Sequence, residues 1–308
     1  MGPLGSSPNL WGARGRDGLY AIQPNCAYTR GMAGRTQAED MTGVDVVVPT
    51  SSQAGPWAAL TAELDAWAAE GRSATFWWRD DDATQSGERL SRLLDAAGAT
   101  SLTLAVIPVP VRGDLAATLE DHRAAGGRVL VVQHGYAHVN HAPPTEKAAE
   151  YGPHRSADVM VAELSEGCET LESLFGDIFR PILTPPWNRI APALVSRLGE
   201  AGLVGISAFG ARPPGAGSTI TNTHVDIIDW PGSRGFVGEE AALNAAVSHL
   251  FARRTGAADG DEPTGLLTHH KDHDDACWRF VNRFAATIAS HPASLWTGGP
   301  AAAAGSRR

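Results

Sequence analysis

The chain has 308 residues, 43% of them hydrophobic and only 19% charged, enough for a sizeable core in one large domain or two ordinary ones. Its 34 acidic and 25 basic side chains leave a net charge of −9, which excludes a general nucleic-acid binder, because neutralising phosphates takes a basic face. Cys26, Cys168 and Cys277 lie far apart with no CxxC spacing, and no apolar stretch approaches the ~18 residues of a membrane span. A disulfide framework, a cysteine zinc site and a membrane span are therefore not expected.

Residues 1–40 carry many glycines, mixed charges and no apolar periodicity, and are predicted to be a disordered extension. Residues 41–298 are expected to form one domain and 299–308 a flexible tail. With no basic-then-apolar leader in view, a cytoplasmic location is the expectation. Trp57, Leu60, Leu64 and Trp67 are spaced three and four apart and predict a helix ended by Gly71. Ala74–Trp78 reads as an aromatic strand. A helix carrying Leu90, Leu93 and Leu94 follows, stopped by Gly98. The apolar run from Leu102 to Ile107, a helix over 114–125 and the strand Arg128–Gln133 come next. Ser156 is expected to cap a long helix reaching Phe175. A short strand ends at Thr184, a helix covers 192–201, and strands lie near 204–207 and 225–228. A helix over 239–254, the strand Leu266–Thr268 and a helix over 276–290 complete the series.

Apolar strands alternating with helices imply a parallel sheet covered on both faces. That many units in about 250 residues predict a (β/α)7-type distorted barrel of parallel strands within the α/β class. An open doubly wound sheet is the alternative, but no glycine-rich phosphate loop follows the first strand.

Polar residues gather where the strands are expected to end. Arg79-Asp80-Asp81-Asp82 follows Trp78, His134-Gly-Tyr-Ala-His138 follows Gln133, and Pro185-Pro-Trp-Asn-Arg189 follows Thr184. Asp229-Trp230 and His269-His270 close the later strands. Strand C-termini of a parallel barrel share one face, so these five clusters converge there. Three adjacent carboxylates repel one another unless a cation joins them. The His-x-x-x-His pair suits one divalent ion, with His141 as a further donor or an exposed bystander. One Asp and two His leave a coordination position open for water; a neighbouring Asp is then free as base and a remote His as acid. Of His269 and His270, only one is expected to face the pocket.

In order and content the clusters resemble the polysaccharide deacetylase family, carbohydrate esterase family four, over about Thr75 to Trp296. That family shows T-F-D-D-G, H-[ST]-x-x-H, R-x-P-x-G, D-W and L-x-H elements in this order. The resemblance implies a catalytic base at Asp81 and metal ligands at Asp82, His134 and His138; a register shifted by one would use Asp80 and Asp81 instead. It implies His269 as general acid, oriented or charge-balanced by Asp229, and the backbone N–H of Trp187 at the oxyanion. Thr184 stands where the family has the arginine that holds the base, so Arg189 or Arg79 is expected to replace it. Trp77, Trp78, Trp187 and Trp230 are candidates for stacking on sugar rings, with barrel core as the competing role for Trp77. The implied cofactor is one divalent ion, zinc by default, with cobalt, nickel or manganese as alternatives. The implied reaction removes an N-linked acetyl or acyl group from a sugar or related small molecule. An amide hydrolase acting on a non-sugar metabolite and a non-catalytic carbohydrate binder are the rival readings. No nucleic-acid or membrane partner is expected, and the oligomeric state is left open.

Overall fold

The computed structural model describes Tyr20–Ala21 and residues 55–213 and 215–299. The extension predicted for 1–40 and the tail after 299 fall outside the described residues, apart from Tyr20–Ala21. These two residues form β1 (Tyr20–Ala21), which pairs antiparallel with β6 (Arg189–Ile190).

The main run of elements begins with α1 (Pro56–Ala69), β2 (Ala74–Ala83), α2 (Glu88–Ala97), β3 (Leu102–Val106), α3 (Gly113–Ala124) and β4 (Val129–His134). It continues with α4 (Ala157–Phe175), β5 (Phe179–Thr184), α5 (Pro192–Val195), β7 (Gly205–Ile206) and β8 (Val225–Asp226). It ends with α6 (Glu239–Thr255), β9 (Thr264–Thr268), α7 (Asp275–Ser290) and β10 (Ser294–Trp296). The strands lie in the order β7-β5-β4-β3-β2-β9-β8, all parallel, with β10 beside the first residues of β2. The two edges of this curled sheet meet. Isolated bridges join Ile206 to Ile220 and Phe209 to Thr223, and His224 N–H donates to Gly265 O at 2.7 Å on the other side. A distorted parallel barrel with an irregular seam results, as expected for this fold class. No helix among the described residues is long and apolar enough to cross a membrane.

Several local expectations change. The helix predicted over 192–201 is α5 followed by a separate 3-10 turn at Leu198–Ala201. Gly199 lies inside the predicted span and Gly202 ends it in the left-handed region, so the sequence favours a tight turn over a continuous helix. Ser156 precedes α4 in extended backbone, yet its hydroxyl makes no cap hydrogen bond. β10 was not predicted; it is short, and only its pairing with β2 defines it.

Strand β2 organises the molecule. Its residues alternate between faces. Phe76 and Trp78 join the core formed with Leu64 of α1, Leu93 of α2 and Phe284 of α7, and the rings of Phe76 and Phe284 meet edge to face at 6.0 Å. Each such aromatic, fully buried, contributes roughly 1.5–3 kcal/mol. Trp77 lies on the other face, fully buried, and its Nε1–H donates to Asn222 O at 3.0 Å. Trp78 Nε1–H donates to Thr268 Oγ1 at 2.8 Å. Both tryptophans are core, so neither is free to stack on a sugar.

Candidate active site

Two consecutive carboxylates of a regular strand point to opposite faces and do not share a site. Asp80 follows the face of Trp78. Its carboxylate accepts Thr268 Oγ1 at 2.6 Å, His270 N–H at 2.9 Å and His270 Nδ1 at 2.5 Å. Asp81 follows the face of Trp77 and Arg79. The pairing of β2 with β3 then shifts register between Asp80 and Ala83, and Asp82 sits at φ 71°. This break returns Asp82 to the side of Asp81. Asp82 Oδ1 lies 3.0 Å from His134 Nε2 and 3.3 Å from His138 Nε2.

Four of the five non-glycine residues with positive φ among the described residues are Asp82, His138, Trp187 and Asn188. Each costs backbone energy, and such strain persists where the surroundings enforce it. Trp187 and Asn188 form the turn after Pro185-Pro186, and the Trp187 ring lies 4.4 Å from that of His138.

Arg79 is fully buried and grips Asp81 with its fork, Nε to Oδ1 at 2.8 Å and Nη2 to Oδ2 at 3.0 Å. Its other hydrogens go to Ser207 O and Oγ, Ala208 O and Asn188 Oδ1. Arg189 instead donates to Ala148 O at 2.8 Å. The guanidinium on Asp81 thus comes from two residues upstream, on the same strand face. That i, i+2 spacing was the signal in the sequence.

His269 is nearly buried, edge-on to Trp230 at 4.7 Å, with Nδ1 unpartnered. Asp226 is a carboxylate whose electrostatics respond to this histidine, and it is joined to Trp230, the ring beside His269. Burial pushes the Asp226 carboxyl above the usual range while the charge of His269 pulls it down. Asp226 also accepts Ile228 N–H at 3.0 Å and Trp230 Nε1–H at 2.8 Å. Asp229 accepts Ser233 N–H at 2.9 Å and ties its own loop together. The D-W pairing drew attention to Asp229, but the strand ends at Asp226. The remaining histidines separate: His270 is held by Asp80, and His273 packs edge-on to Trp278 at 4.3 Å.

Hydrogen-bond direction tests whether an ion suits Asp82, His134 and His138. His134 Nδ1 lies 3.0 Å from Thr184 O. A carbonyl only accepts, so Nδ1 carries a proton, and in the neutral ring Nε2 presents a lone pair. That lone pair faces Asp82 Oδ1, a buried oxygen with no hydrogen-bond partner. Two lone pairs facing each other repel unless a cation lies between, and donors about 3.0–3.5 Å apart suit an ion that binds each at ~2.0–2.2 Å. In the ion's absence a proton serves. Burial opposes charging His134, but the Asp81 and Asp82 carboxylates outweigh it and hold its pKa above the usual value. Burial likewise opposes charge on Asp82, and its contacts with His134, His269 and His138 carry its pKa well below the carboxylate range. Burial lowers the pKa of His138.

His224, His249 and Glu262 form a second group with close donor atoms, and they fail the same test. His224 Nδ1 accepts the Gly265 N–H at 3.0 Å, so in the neutral ring Nε2 carries the hydrogen and has no lone pair for an ion. The two imidazoles stack at 3.4 Å with 14° between planes, which sets their in-plane directions side by side rather than converging. Glu262 accepts Asn222 N–H at 2.9 Å and Arg212 N–H at 2.7 Å. It clasps the two segments of the barrel seam.

No family model matches the chain, and no curated protein does. Its backbone is similar to several solved structures at low identity. One is a family 4 carbohydrate esterase from Streptomyces lividans in complex with acetate, 17% identical over 70% of this chain and 88% of that chain, with a TM-score of 0.44. Another is the chitin deacetylase from the fungal pathogen Colletotrichum lindemuthianum, 16% identical over 75% and 88%, with a TM-score of 0.46. A third is a family 4 acetyl xylan esterase from Clostridium thermocellum in complex with a cobalt ion, 14% identical over 64% and 74%, with a TM-score of 0.37.

Proposed function

We propose that the chain is a metal-dependent hydrolase of the polysaccharide deacetylase type, removing an N-linked acetyl or acyl group from a sugar or related small molecule. The observation that carries this reading is the approach of His134 Nε2 to Asp82 Oδ1 at 3.0 Å, with His134 Nδ1 committed to Thr184 O, beside an arginine-held carboxylate. Asp82, His134 and His138 would hold the ion, and two nitrogens with one oxygen are a zinc-type donor set. When bound, the ion supplies Lewis-acid polarisation of the acyl carbonyl and a lowered pKa for water.

The chain's own groups do the rest. Asp81, with both oxygens fixed by Arg79, takes the proton from the attacking water. The left-handed turn at Trp187 presents a backbone N–H to the negative charge that develops on the carbonyl oxygen. His269 delivers a proton to the departing amine, which otherwise leaves poorly. Trp230 flanks that histidine and offers an aromatic edge to the substrate.

Acetate release from N-acetylated sugars, measured on zinc- or cobalt-loaded protein, tests the reading. His269→Ala should lower kcat by about 10²–10⁴-fold and change KM little. Release of acyl groups from non-sugar amides alone would move the substrate to a metabolite. A protein that takes up metal yet hydrolyses no amide or ester would be a binder instead.

A further inference from the structure

We infer that Glu150 is a positioning residue for His138: it fixes the loop that presents this histidine and places a negative charge behind it, outside the ion-holding trio. The inference rests on the metal reading above. His134 ends β4, and only three residues separate it from His138. To bring both Nε2 atoms to Asp82, the chain passes through left-handed backbone at Gly135 (φ 62°) and again at His138 (φ 57°). Such a turn exposes its N–H groups instead of pairing them within a strand. Glu150, 1% exposed, takes two of them: Oε2 accepts Tyr136 N–H at 3.1 Å and Oε1 accepts Ala137 N–H at 2.8 Å. From the other side Gln133 Nε2 donates to Gly135 O at 3.0 Å. Val109 N–H donates to Tyr136 O, also at 3.0 Å. The fit is close enough that a Cβ at Gly135 would run into Glu150 Oε2.

A carboxylate is the side-chain group that offers a separate acceptor oxygen to each amide, and it brings a negative charge with it. Arg155 touches only the Glu150 backbone carbonyl, at 3.4 Å, and commits its guanidinium to Glu163 at 2.9 and 2.5 Å. The Glu150 carboxylate sits on the amide of Ala137, the residue before His138, so its negative charge lies behind the loop that presents this ring and favours a cation held by it. Partners beyond the direct ligands commonly set ligand orientation and metal affinity in this way.

Glutamine is the informative substitution. It keeps shape but has one acceptor oxygen, so its NH2 must face an N–H. Cobalt(II) binding to the full chain, followed by visible absorption and chelator competition, should show Kd raised about 10- to 100-fold in Glu150→Gln, with altered bands as His138 shifts. Glu150→Asp, which keeps the charge one methylene further back, should fall between, and it decides the matter if the glutamine variant does not fold. Unfolding of the metal-free variants separates stability from affinity. Folded variants with wild-type affinity and spectrum, whatever their melting temperature, overturn the inference. A wild-type protein that takes up no cobalt overturns the metal reading, and this inference with it. His138→Ala marks the affinity expected when the ligand is lost outright.

Discussion

Arg79 shows how much one side chain decides. A fully buried guanidinium is tolerable only with its hydrogens satisfied, and here they join the Asp81 carboxylate, the Asn188 side chain and the seam at Ser207–Ala208. Lysine keeps the charge but not the planar fork, so it cannot hold both oxygens of Asp81 while reaching the other partners. Arg79→Lys should therefore lower kcat by roughly 100-fold, the lower end of what a well-placed base supplies. Cobalt affinity should change little, because Asp82 and the two histidines are untouched. Steady-state kinetics beside cobalt titration checks this, and near-normal kcat in the lysine variant would mean that Asp81 needs no such clamp. The residue scale is also where sequence reasoning reached its limit. His134 and His138 stood out by spacing, and Arg79 was legible once strand alternation was applied. Glu150 left no mark, because its partners are backbone amides more than ten residues away. Asp82 was named, but the left-handed break that turns it beside Asp81 is a feature of pairing with β3, not of local propensity.

Among elements, β9 and the turn after it place three histidines in three environments within five residues. His269 faces Trp230, His270 is fixed by Asp80, and His273 is buried under α7 with both ring nitrogens unpartnered. Neighbouring residues in extended and 3-10 backbone diverge. His273 has a definite consequence for acid stability. Burial lowers its pKa to about 4, with the Asp80 charge pulling weakly the other way. The folded state thus binds its proton less readily than the unfolded chain. The stability tied to neutral His273 is complete above about pH 6.5 and is lost as pH falls from there toward 4. The shift corresponds to a loss of up to about 3 kcal/mol across that window. Phenylalanine has a similar shape and no titrating group, so His273→Phe should flatten the fall in unfolding free energy between pH 7 and 4. Part of the slope should remain, since burial also depresses His224 and His249. Urea titrations at several pH values measure it, and an unchanged slope would show that His273 does not titrate in the folded core.

At the scale of the whole molecule, the barrel puts its chemistry and its closure in different places. The strand-end clusters meet at one rim, as parallel strands require. Closure depends on the seam between 205–210 and 219–224, where Glu262 binds the amides of Arg212 and Asn222 under the stacked pair His224 and His249. The alternation of strands and helices made the barrel legible. The seam was not, because the connection from β7 to β8 contains no helix among its described residues and β7 and β8 have two residues each. Both His-carboxylate groups have the donor types of a metal site, and proton placement together with ring orientation separates them. His134 donates through Nδ1 and presents Nε2 as an acceptor, while His224 accepts at Nδ1 and presents Nε2–H. The chain should accordingly bind one equivalent of zinc, not two. An ion bound only by the native state, at 100 times its Kd, stabilises by about 2.7 kcal/mol, which raises Tm by several degrees in a domain of this size. That rise should vanish with chelator and in His134→Ala. His249→Gln should lower the starting Tm by disturbing the seam but keep both the rise and the single equivalent. Metal analysis of dialysed wild-type protein and the two variants, beside melting curves, decides between the groups: two equivalents in the wild type, or one lost from His249→Gln instead of His134→Ala, would place an ion at the seam.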